Sequence, residues 1–138
     1  MLAVCFMMIS LTALAGDITV LLDGKQLRFD QNPIIENDRT LVPVRKIFEE
    51  LGADVQWREK DAVVTAKKDD MSIRLQINSN WMLQNGELIY LDAAPKIVGD
   101  RTLVPLRAIS ESFGAAVTWE ASSQTVYVTT AGNVPNAP

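Results

Sequence analysis

The chain contains no histidine. That removes the usual general base at neutral pH, the commonest transition-metal ligand and every histidine-dependent triad. Cysteine is nearly absent as well: the single Cys5 lies in the apolar N-terminal stretch, so the rest of the chain offers no disulfide, thiolate metal site or cysteine nucleophile. There is no concentration of positive charge. The 13 Lys and Arg are dispersed against 17 Asp and Glu, for a net charge of -4, which argues against nucleic acid and anionic lipid as partners because both need a basic patch. A D-x-D-x-D loop with its glycine is missing, so no calcium site is expected. The adjacent carboxylates Glu49-Glu50 and Asp69-Asp70 read as a solvated helix face and a turn, not as a catalytic pair. These absences predict no catalytic residue, no metal and no cofactor.

What is present begins with an uncharged run over residues 1–15 that ends in Ala13-Leu14-Ala15 before Gly16. A short apolar segment with a small-x-small end reads as a cleaved export signal. It is too short for a membrane span of about 20 apolar residues. A secreted or cell-surface location follows as the expectation, with no membrane contact after cleavage. Residues 131–138, polar and bearing two prolines, read as a tail or the start of a linker.

Between these ends the chain repeats itself. Asp38-Arg39-Thr40-Leu41-Val42-Pro43-Val44-Arg45 returns as Asp100-Arg101-Thr102-Leu103-Val104-Pro105-Leu106-Arg107, 62 positions on. The same shift pairs Asp30 with Asp92, Gly52 with Gly114 and Trp57 with Trp119. A duplication sets the architecture before any residue is read for chemistry. Repeat 1 covers about 17–68 and repeat 2 about 79–130, so a duplicated domain spans 17–130. Each half alone is small for a stable core, which predicts that the halves share or abut one.

Each repeat opens with alternating runs around Asp23-Gly24 or Asn85-Gly86, a strong hairpin signal because these residues tolerate the positive φ of a primed turn. An extended stretch then leads from Pro33 or Pro95 to Pro43 or Pro105. Val44, Ile47, Phe48 and Leu51 follow at i, i+3, i+4, i+7 spacing, and Gly52 or Gly114 stops a helix of about nine residues with proline at its first position. Two strands close each unit, Val55 and Trp57 lying on one face of the first in repeat 1, and Val117 and Trp119 in repeat 2. One alternating strand, 71–77, has no counterpart in repeat 2 and is expected to tie the halves together. The fold class is therefore α+β: two repeated lobes, each a hairpin, one short helix and two further strands in a mainly antiparallel sheet.

The motif residues Asp38, Arg39, Thr40, Pro43, Arg45, Gly52, Trp57 and their counterparts Asp100, Arg101, Thr102, Pro105, Arg107, Gly114, Trp119 read as structural. Arg45 and Arg107 sit in the first helical turn, where the macrodipole disfavours a cation by about 0.3–1 kcal/mol. Offsets are expected from Glu49 and Glu111 four residues on, or from Asp38/Asp100 or Asp30/Asp92. Trp57 and Trp119 are expected to pack against the helices. Trp81 and Tyr90 are aromatic only in repeat 2, where repeat 1 has Thr19 and Arg28, and are the candidates for an exposed contact surface.

The run from Asn37 through Trp57, with Leu91-Asp92-Ala93-Ala94-Pro95 before the second copy, resembles the stalk domain family named for the N-terminal domain of copper amine oxidases. The resemblance covers about 18–130. It implies a small, secreted α+β module of bacterial exteriors, often appended to cell-wall hydrolases, proteases or surface-layer modules, and it carries over no catalytic residue. A chain without histidine could not build the copper centre of the catalytic domain after which the family is named.

The resulting expectation is a non-catalytic secreted or cell-surface stalk or binding module, associated with a cell-wall polymer or an extracellular protein. The alternative is a secreted regulator or inhibitor of a peptidase or wall hydrolase. An enzyme using carboxylates alone would need two of them opposed across a cleft, about 5–9.5 Å apart, and the sequence shows no sign of such a pair.

Overall fold

The computed structural model describes residues 18–133. The expected export signal and the last residues of the tail lie outside that range. The elements run β1 (Thr19–Leu22), β2 (Lys25–Leu27), β3 (Ile34–Glu36), β4 (Arg39–Pro43), α1 (Val44–Leu51), β5 (Asp54–Arg58), β6 (Val63–Lys68) and β7 (Met71–Gln76). The second half follows with β8 (Trp81–Gln84), β9 (Glu87–Tyr90), β10 (Lys96–Val98), β11 (Arg101–Pro105), α2 (Leu106–Ser112), β12 (Ala116–Glu120) and β13 (Thr125–Thr129), then a 3₁₀ turn at Ala131–Asn133. The α+β class is as expected from the sequence.

Local chemistry accounts for most of this. Asp23-Gly24 and Asn85-Gly86 both take positive φ at their two residues, the primed turn that matches the twist of the flanking strands. Asn37-Asp38 and Gly99-Asp100 do the same. The stretch expected to run extended between prolines is therefore a second hairpin, β3–β4 in repeat 1 and β10–β11 in repeat 2. Pro43 and Pro105 sit one position earlier than expected. They end their strands as N-caps with ψ of 130° and 116°, outside the helical region, and the helices begin at the next residue. Helix α1 buries Ile47, Phe48 and Leu51 and closes on Gly52 in the left-handed conformation at φ 82°.

The sheets do not follow the repeats. The first, ordered β12-β13-β1-β2, joins the opening hairpin of repeat 1 to the closing strands of repeat 2, with β1 and β13 parallel. The second, ordered β5-β6-β7-β8-β9, joins the closing strands of repeat 1 to the opening hairpin of repeat 2 through β7. Each repeat thus lends its first hairpin to the other. Between them a four-stranded sheet, β10-β11-β4-β3, places Val42 opposite Val104, Leu41 opposite Pro105 and Pro43 opposite Leu103. A residue facing its own counterpart marks a pseudo-twofold axis through the middle of the fold.

One continuous core of Val42, Val104, Ile47, Phe48, Ile109 and Phe113 with the inner faces of the outer sheets fills one side of this central sheet. Phe48 and Phe113 meet edge to face at 6.0 Å. A smaller core of Leu41, Leu103 and Ala93, flanked by Ile34 and Val98, fills the other side. The sheet curls enough for Lys96 on one edge strand to reach Glu36 on the other at 2.8 Å.

Candidate functional site

The motif side chains line the walls of two clefts. The larger, about 680 Å³, takes Trp119, Pro105, Arg107 and Glu111 from repeat 2 and Asp38, Arg39 and Thr40 from repeat 1. The smaller, about 590 Å³, takes Trp57, Pro43, Arg45 and Glu49 from repeat 1 and Asp100, Arg101 and Thr102 from repeat 2. Every residue lining the smaller has its counterpart, 62 positions away, in the lining of the larger. The molecule builds one cleft twice, and each copy needs both repeats.

The clefts are held by reciprocal ion pairs. Arg39 Nη2 lies 2.6 Å from Asp92 Oδ2, and Arg101 reaches Asp30 Oδ2 through Nη2 at 2.7 Å and Nε at 3.1 Å. Position 62 residues on, each arginine of one repeat takes the aspartate of the other. The Arg101 hydrogen bond holds the Asp30 carboxyl below the usual carboxylate range, and Asp30 in turn raises Arg101. These groups are exposed, so their attraction is screened by solvent and serves to position loops more than to stabilise the fold.

The aspartates therefore answer Arg39 and Arg101, not the helix-borne Arg45 and Arg107 for which the sequence suggested them. Arg107 finds its offset in the Val117 carbonyl at 2.8 Å and in Glu111 at 3.4 Å. Arg45 makes no such bond among the described residues. Gly52 ends α1 at positive φ, Gly114 takes positive φ one residue past the Phe113 cap of α2, and Thr40 and Thr102 are half-buried on the central strands. Trp57 and Trp119 depart from the expected core packing: they remain 37% and 39% exposed at the cleft walls and belong to neither core cluster. Each lies opposite a buried valine, Val64 or Val126, on the outermost strand of its sheet, so its outer portion has nothing to pack against.

The structure separates the two aromatic candidates. Tyr90, 76% exposed, stands at the larger cleft; Trp81 is its cross-strand neighbour on the β8–β9 hairpin and is not part of the lining. The two clefts differ where it matters for a ligand. Tyr90 and Ala108 occupy the places of Arg28 and Lys46, so the larger cleft is aromatic where the smaller is basic. That difference was readable by aligning the repeats, but the swapped hairpins that bring Tyr90 to Arg39 were not.

Among the described residues no three metal-ligating side chains cluster, and no helix is long and apolar enough to cross a membrane. The model of the copper amine oxidase N-terminal domain matches residues 21–128, from the first strand to the last. The chain belongs to that family. No curated protein matches the sequence. The copper amine oxidase N-terminal domain is typically a non-catalytic extracellular module. The duplicated motif lies within the matched residues and also lines the clefts.

Proposed function

We propose that this protein is a non-catalytic secreted or cell-surface stalk and binding module, and that the larger cleft engages a cell-wall polymer. The observation carrying this reading is that two copies of one cleft have diverged, one keeping cations and the other gaining Tyr90 and Ala108 beside Trp119. In the larger cleft the arginines are answered internally, Arg39 by Asp92 and Arg107 by Glu111 and the Val117 carbonyl. What remains for a ligand is an aromatic wall beside a charge-compensated polar rim. That combination suits a neutral ring with apolar faces and hydroxyl edges, as in a polysaccharide.

The test is retention of the chain from residue 17 onward on purified wall polysaccharide and, separately, on immobilised proteins from culture supernatant. Retention on polysaccharide that is lost in Tyr90→Ala and Trp119→Ala and kept in Trp57→Ala is the expected result. Retention by a purified peptidase or wall hydrolase in place of the polymer would replace this reading with that of a regulator, and no retention would leave a plain spacer.

A further inference from the structure

We infer that the parallel seam between β1 and β13 is a mechanical clamp, so that tension applied through the two ends of the domain must shear this seam before any other part can unfold. The inference rests on strand direction and register and is independent of what the clefts bind.

β1 is the first strand of the described chain and β13 the last, and they lie side by side with Thr19 opposite Thr125 and Leu22 opposite Val128. Because the strands are parallel, the chain enters at one end of the seam and leaves at the other. Tension along the chain therefore pulls the two strands past each other along their length. The bonds of a parallel pair are evenly spaced along that length, so they share the load and must fail together. An antiparallel hairpin pulled at its open end would lose them one at a time.

Three further features sit on this seam. Thr19 N donates to the Gln124 carbonyl at 3.0 Å at its start, and Asp23 N donates to the Val128 carbonyl at 2.9 Å at its finish. Beyond the last strand pair, the Asp23 carboxylate accepts from Thr130 N at 3.0 Å and from Thr130 Oγ1 at 2.6 Å, a lock across the exit of the chain. On the inner face Val20, Leu22, Val126 and Val128 are all buried, so sliding the strands drags apolar side chains out of register with the core. The equivalent junction in the other outer sheet has the same hairpin joined through β7, and no end of the described chain enters there. Among the described residues, the one parallel strand pair is that between the first strand and the last.

Single-molecule force spectroscopy on the chain from residue 17 to 138 tests this in two pulling directions. In one, marker domains flank the chain at both ends. In the other, a handle at Lys25→Cys and the C-terminal marker both attach at the same end of the seam, so β1 is peeled from β13; Lys25 is exposed and loses only a surface ion pair. Forced unfolding reads the barrier along the pulled coordinate, and an end-to-end force about twice the peeling force or more is expected. Equal or lower force end to end would overturn the inference. Asp23→Gly keeps the positive φ of the turn and removes the lock, and it is expected to lower the end-to-end force. An unchanged end-to-end force in this variant would mean that the lock carries none of the load and would count against the inference.

Discussion

Val42 faces Val104 across the central strand pair, each fully buried and each the other's counterpart in the repeat. The axis between them relates two hairpins that have changed places, so the two motif-lined clefts and both outer sheets contain residues from both repeats. The single core follows from this exchange. Half the chain would leave a hairpin unpaired and a central sheet cut in two, below the size at which one core suffices.

Ser110 is fully buried on α2 and its hydroxyl has no hydrogen-bond partner among the described residues. It stands where repeat 1 has Phe48. An unsatisfied buried hydroxyl costs about 1–3 kcal/mol, and alanine is the better helix former. Ser110→Ala should raise stability by about 1 kcal/mol and Tm by several degrees in thermal denaturation. A lower Tm would mean that the hydroxyl is satisfied in solution.

Lys96 and Glu36 cross the smaller core as an ion pair, whereas the symmetry-related positions hold Ile34 and Val98. The two symmetry-related places between the repeats thus hold an ionic pair in one and two apolar side chains in the other. Lys96→Ile alone leaves Glu36 unpaired in a half-buried place and should cost about 1 kcal/mol, while Lys96→Ile with Glu36→Val should recover the loss or exceed it. Chemical denaturation of the singles and the double provides the cycle. Additive losses would contradict the pairing.

Glu50 is lowered from the ordinary value of 4.5 by hydrogen bonds first from Lys46 and then from Lys25. A carboxylate depressed in the folded state stabilises above its unfolded value, and that contribution disappears as the pH falls through the folded one. Glu50→Gln should therefore cost at most about 1 kcal/mol at neutral pH, since both lysines are solvent-exposed. The gap from the parent should close as the pH drops well below 4.5. A gap that persists in acid would assign the loss to packing.

The local elements were legible because their signals are local. Asp23-Gly24 and Asn85-Gly86 specify primed turns, and the spacing of Val44, Ile47, Phe48 and Leu51 specifies a one-sided helix. The hairpin at Asn37-Asp38 carries the same kind of signal in a weaker pair of residues, and the flanking prolines make the stretch resemble extended chain. Which hairpin pairs with which strand was not legible, since in a duplicated chain both partners present the same alternating pattern. The clefts were hidden for that reason. The motif residues were visible, but their meeting across repeats, as Arg39 with Asp92 and Arg101 with Asp30, depends on the exchange. Trp57 and Trp119 were placed on the correct face, yet being on the outermost strand left them partly exposed.

Whether the two repeats form one body by lending each other a hairpin is decided by producing residues 18–70 and 71–133 as separate chains and following circular dichroism and tryptophan fluorescence alone and after mixing. Each fragment should be unfolded by itself, and the equimolar mixture should recover the spectrum of the intact chain. A fragment that folds alone with native-like strand content would contradict the exchange and restore two independent lobes.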